Sequence, residues 1–176
     1  AVTRVLTSGA DSETRLTAGG MLSDASALEP MATGGFNVES AGALYLSAQR
    51  IGSATNAFDV RSADLRSTAN TDGAWVQTMA FASGGETLIS DASVSANGSL
   101  DVVVLSGNLR VSESLSLSRI HLVTLGGSIV MDDGVRLSAS GDIVMSATDD
   151  ILLSQLVSES GRIALSAGDQ IIDNTV

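Results

Sequence analysis

The sequence predicts an all-β chain wound into a parallel β-helix, a β-solenoid with three short sheets and coils of about 20–22 residues. Three observations predict it. A unit recurs with starts at residues 84, 106, 126, 148 and 168, so successive lengths are 22, 20, 22 and 20. Each unit holds short runs rich in Ile, Val and Leu that alternate in period two, separated by Gly, Ser, Asp or Asn. Stacked in that register, apolar residues fall in columns, the mark of a solenoid whose single units cannot bury an apolar face alone.

The columns can be written out. Thr87, Leu109, Ile129, Ile151 and Ile171 form one, and Ile89, Val111, Met131, Leu153 and Asp173 the column two places on. A second run aligns Val94, Leu115, Val135 and Val157. A third aligns Leu100/Val102, Ile120/Leu122, Ile143/Met145 and Ile163/Leu165. The leucine and asparagine framework of leucine-rich repeats is missing, and Ser, Gly, Thr, Asp and β-branched residues disfavour helix. Right-handed coiling is expected from the general preference of parallel crossovers. The ~20-residue period predicts about seven or eight coils in one β-helix domain spanning 1–176.

Taken in order, residues 1–33 are irregular or edge coils. Gly19-Gly20-Met21-Leu22 opens a coil, and Leu28-Glu29-Pro30 interrupts pairing because proline cannot donate to a ladder. The pattern resumes at Gly34-Gly35-Phe36-Asn37-Val38, and 34–83 reads as looser coils. Within it Ile51–Val60 is a turn leading into a strand, and Asn70-Thr71-Asp72-Gly73 a polar, protruding corner. Residues 84–176 are the regular coils. The last is cut short, which suggests a fragment of a longer protein.

Composition narrows function. The chain is 44% hydrophobic, 3% aromatic and 16% charged, which suits a narrow bore filled with aliphatic side chains rather than a disordered segment. Its net charge is −11, with nine arginines and no lysine, so no clustered basic footprint for nucleic acid is expected. No cysteine supplies a disulfide or thiolate metal site. No apolar run approaches the ~18 residues of a membrane-spanning helix, so no membrane insertion is expected.

The segments Ile51–Val60, Gly141–Ala147 and Ala167–Asp173 resemble the repeat region of filamentous haemagglutinin-type bacterial exoproteins, over roughly residues 34–176. The resemblance implies a right-handed parallel β-helix forming the shaft of a secreted or cell-surface adhesin. The secretion domain of that family carries Asn-Pro motifs. This chain has none, so the resemblance points to shaft.

Sites of chemistry are few. His121 lies between inward Ile120 and Leu122, hence outward, with no nucleophile motif nearby. Asp132-Asp133, Asp142 and Asp149-Asp150 would be the carboxylates of a polysaccharide-cleaving β-helix, which needs two acids ~5–10 Å apart. They fall at corners, however, where Asp serves turns, and aromatic sugar platforms are scarce. Asp91, Glu113 and Asp133, with Gln155 next, form an acidic column in this register, a weak calcium candidate. The five methionines read as core gap-fillers. Between the inward columns, Leu88, Arg110, Val130, Leu152 and Ile172 should face outward, and four of the five are large and apolar, a candidate interaction surface. The expected function is therefore a non-catalytic, structural and adhesive shaft segment without cofactor. Its partners would be flanking repeats, a surface receptor or glycan, or a second rod. The alternative is a polysaccharide-binding or polysaccharide-cleaving β-helix using surface carboxylates.

Overall fold

A computed structural model describes residues 5–24, 35–81, 85–94 and 98–175, which carry seventeen strands and no helix. The strands coil into a parallel β-solenoid of about six turns. Strands β1 (Val5–Thr7), β2 (Glu13–Thr17) and β3 (Met21–Leu22) all pair with β4 (Val38–Ile51), which pairs with β5 (Phe58–Thr78). Val5 stacks on Val38, 33 residues on, whereas Val38 stacks on Val60, 22 on. The first turn thus consumes more chain than the 20-residue period allows, which lowers the number of turns below the sequence expectation. The break expected at Leu28-Glu29-Pro30 lies outside the described residues.

Two hydrogen-bonded sheets line the three faces, instead of three separate sheets. Long β5 crosses a corner: Asp64–Ala69 pair with β6 (Glu86–Val94), and Gly73–Thr78 pair with β7 (Ser99–Val104). From β6 the first face continues through β8 (Asn108–Val111), β11 (Ile129–Met131), β14 (Ile151–Leu153) and β17 (Ile171–Asp173). From β7 the third face continues through β10 (Arg119–Thr124), β13 (Ile143–Ala147) and β16 (Ile163–Ala167). β5 fuses these two stacks into a 14-stranded sheet. The second face is a separate sheet of β9 (Leu115–Leu117), β12 (Arg136–Ala139) and β15 (Gln155–Ser158). Within the looser coils expected over 34–83, Phe58–Thr78 form the longest strand among the described residues, with inward Leu65, Ala69, Ala74 and Val76 buried. At its exposed Asn70–Asp72 corner, the Thr71 hydroxyl donates to the Gln49 carbonyl at 2.9 Å.

The apolar columns of the first and third faces stand as expected. Thr87 pairs with Leu109, Leu109 with Ile129, Ile129 with Ile151 and Ile151 with Ile171. Leu100, Ile120, Ile143 and Ile163 stack likewise. The second-face column does not. Leu115 pairs with Leu137 and Leu137 with Leu156, while Val157 faces Ser138. The cause is a turn closed by the Val135 amide donating to the Asp132 carbonyl, which occupies extra residues before β12 and leaves Val135 buried at the corner.

The amino-terminal coils hide their periodicity because their interior is partly hydroxyl-lined. Thr7, Thr14 and Ser40 hydrogen-bond one another at 2.7–3.2 Å, and the buried Ser62 hydroxyl donates to the Asp64 carbonyl at 2.7 Å. Thr87 is different: its hydroxyl is buried within the leucine–isoleucine column without a hydrogen-bond partner. A buried unsatisfied hydroxyl costs about 1–3 kcal/mol, so Thr87→Val, which keeps the shape and removes the orphan, should raise stability by about 1 kcal/mol. A lower urea midpoint in the variant would show that the hydroxyl is solvated or bonded.

Candidate functional site

Outward side chains come from every second strand residue, so stacked coils present them as columns ~4.8 Å apart. What each column can do depends on its charges and on the corners that flank it.

The corner carboxylates are engaged in building the coil. Where strands end, backbone N–H groups lose their ladder partners and must find others. Along one corner the Ser128 amide donates to Asn108 Oδ1 at 2.9 Å, the Asp150 amide to Ser128 Oγ at 3.2 Å, and the Gln170 amide to Asp150 Oδ1 at 3.0 Å. Elsewhere the Arg162 amide donates to Asp142 Oδ1 at 2.9 Å. Asp132 is gripped by Arg110 through Nε at 2.7 Å and Nη2 at 3.0 Å. Of the five acids considered for glycoside chemistry, Asp132, Asp142 and Asp150 thus hold coils together, and Asp133 and Asp149 are exposed at turns.

The acidic column does not assemble. A β-bulge between Leu65 and Arg66 places Asp91 opposite Arg66, and Gln155 pairs with Arg136. Glu113 and Asp133 sit exposed in turns, and no group of three or more metal-ligating side chains occurs among the described residues. The 22- and 20-residue register holds through Ile89, Val111 and Met131, but pairing stops there, and Glu113 and Asp133 lie in the turns beyond. The turn closed by Val135 and Asp132 moves Gln155 from Asp133 to Arg136, which period counting could not see.

His121 faces outward in β10 and is half-buried. Its Nδ1 lies 2.8 Å from Asp101 Oδ2, and Arg119 Nη2 lies 3.6 Å from the same oxygen. The pair has the orienting half of a nucleophilic triad, but no described hydroxyl is hydrogen-bonded to its ring.

The chain matches no family model, no curated protein and no solved structure. What its surface does must be read from its own geometry.

The outward strip is in the expected register: Leu88 opposite Arg110, then Val130, Leu152 and Ile172. Arg110 interrupts it, held by Asp132 and by Glu86 at 3.7 Å. Its hydrogen bond with Asp132, the largest cause, raises its pKa above the ordinary arginine value.

A second column was missed by sequence reading. Arg15, Tyr45, Arg66 and Asp91 stack on β2, β4, β5 and β6. The guanidinium carbons of Arg15 and Arg66 lie 4.1 and 4.9 Å from the Tyr45 ring centroid, a cation–π contact from the coil on either side. Arg66 Nη1 donates to the Tyr45 hydroxyl at 2.6 Å, and its Nε donates to Asp64 at 2.9 Å. Arg15 is hydrogen-bonded through Nε to Glu13. The two arginines are 51 residues apart in the chain, and the long first turn breaks the repeat between them. Only the scarcity of aromatic residues singled out Tyr45.

One corner carries a titratable anomaly. Asp59, at the start of β5, has its carboxyl pKa pushed up to about 6, first by desolvation and then by the nearby Asp24 charge. Asn37 bridges the two, donating from Nδ2 to Asp24 at 3.0 Å and accepting the Asp59 amide at 3.2 Å. A carboxyl whose folded pKa lies above its unfolded value of 3.8 favours folding when protonated. That contribution is complete below pH ~3.8 and is lost as pH rises through ~6. Asp59→Asn should therefore be more stable than wild type at pH 7.5, and the difference should vanish by pH 4. A stability difference independent of pH in urea titrations would place the effect elsewhere.

Proposed function

We propose that this chain is a structural rod segment of a secreted or cell-surface protein, non-catalytic, with outward columns available for adhesion. One observation carries the reading: the column Thr87–Leu109–Ile129–Ile151–Ile171 runs without a break across five consecutive coils. An uninterrupted parallel stack extends by ~4.8 Å per coil and uses almost all its polar backbone in inter-coil bonds, which makes it stiff along its axis. The corner carboxylates support the non-catalytic part, since Asp132, Asp142 and Asp150 are committed to joining coils. The bacterial adhesin shaft suggested by the repeat resemblance is the setting that fits such a segment, with flanking repeats, a surface receptor or a laterally packed rod along Leu88, Val130, Leu152 and Ile172 as partners.

The test is removal of one coil in register. Deleting residues 129–150 sets Ile151 where Ile129 stood, on Leu109. A rod segment keeps a single cooperative β-sheet melt with one coil fewer, and neither form releases new reducing ends from polysaccharides. Failure of the shortened chain to fold would sink the rod reading. Cleavage of a polysaccharide by the intact chain would favour the enzyme alternative.

A further inference from the structure

The Arg15–Tyr45–Arg66–Asp91 column forms one wall of a groove of about 270 Å³, and Thr17, Ser47 and Thr68 line its other side. The second wall is also a stacked column, Thr17 on Ser47 and Ser47 on Thr68. Both walls arise from alternation around Leu46, which points into the core while its neighbours Tyr45 and Ser47 point out. The groove therefore runs along the solenoid axis. From Arg15 to Asp91 it crosses three inter-strand steps, about 14 Å at ~4.8 Å each.

Its chemistry is mixed. A guanidinium carries five donors and accepts nothing. Arg15 spends Nε on Glu13, and Arg66 spends donors on Asp64 and Tyr45, so donor capacity remains on both. Asp91 only accepts, while the Ser and Thr hydroxyls do both. The β-bulge matters here, since an unbroken register would set Ser90, not Asp91, beside Arg66. Charge excludes an anion as the best-matched ligand: Arg15 and Arg66 face Glu13, Asp64 and Asp91, on a chain of net charge −11. A planar aromatic ligand is also mismatched, because guanidinium groups from both neighbouring coils already occupy Tyr45. Vicinal hydroxyls, each able to donate and accept, match a wall of donors ending in a carboxylate and facing hydroxyls.

We propose that this groove binds a neutral oligosaccharide laid along the solenoid axis, its hydroxyls accepting from Arg15 and Arg66 and donating to Asp91. The proposal deepens the adhesive part of the rod reading and rests on it, but the two fail separately. The coil deletion at 129–150 lies outside the groove and tests only the rod.

The binding test uses saturation-transfer NMR and calorimetry on the whole chain. Its probes are xylohexaose, mannohexaose and maltohexaose, with hexagalacturonate and a heparin hexasaccharide as the anionic arm. At least one neutral hexamer should bind, and at least tenfold more weakly to Arg66→Gln and to Thr68→Val. Thr68→Val keeps the β-branched shape, so it remains informative if loss of Arg66 disturbs folding. Arg162→Gln, on an exposed side chain far along the stack, should leave binding unchanged. Binding of none of the neutral hexamers, tighter binding of the anionic ones, or indifference to both groove variants would overturn the proposal.

Discussion

Ile151→Ala should lower folding stability by roughly 2–5 kcal/mol, the range for truncating a buried aliphatic side chain. Ile151 is 0% exposed, stacked between Ile129 on one coil and Ile171 on the next. Its removal leaves a cavity that regular strands on both sides cannot close, because their backbones are fixed by inter-coil hydrogen bonds. Ile171 supplies an internal control. It occupies the same column one coil on but is 50% exposed, so Ile171→Ala should cost about 1 kcal/mol, the transfer of roughly half a side chain. Urea unfolding of the two variants side by side decides the matter. Equal losses would mean that the column does not form a continuous core through Ile151.

Gly107→Ala should be comparably damaging, for a different reason. Gly107 opens a repeat unit with φ at +95°, a region an alanine rarely enters. A β-carbon there would also meet the Gly85 carbonyl oxygen and the Ala80 β-carbon, both at 2.6 Å. A β-carbon added at Gly127 on the following coil would likewise lie 2.5 Å from the Gly107 carbonyl oxygen, so the opening glycines stack where the coils leave no room for a side chain. Backbone cannot give way as a flexible side chain can. The left-handed conformation costs about 1–2 kcal/mol, and forced displacement of packed neighbours about 1–3 more. Gly134→Ala separates the two costs. Gly134 also has positive φ, at +76°, but nothing lies within 4 Å of the added carbon. It should lose only the conformational part, about 1–2 kcal/mol. If thermal melts show the two variants equally destabilised, close inter-coil approach at Gly107 contributes nothing.

The candidate surface was legible in part. Leu88, Val130, Leu152 and Ile172 stand on the outer face because period-two alternation leaves no other place for the residue between two inward ones. The groove around Tyr45 was not legible. Arg15, Tyr45, Arg66 and Asp91 belong to coils of unequal length, and no single spacing links them. The acidic column of Asp91, Glu113 and Asp133 failed for another reason: its spacing is regular, but Glu113 and Asp133 lie in turns beyond the last paired residues, Val111 and Met131.

What the sequence determined by itself is the parallel stack, its coil length and the columns of its first and third faces. These follow from local rules, since side-chain direction alternates along any strand and identical units repeat the same choice. Only the tertiary structure decided how the faces join and how each corner closes. β5 crosses a corner and merges two faces into one sheet, the Asp132–Val135 turn shifts β12 by its extra residues, and the bulge at Leu65–Arg66 carries Asp91 to Arg66. Corner length depends on which backbone groups find partners on the adjacent coil. That is a contact between residues about 20 or more apart, and no local pattern contains it.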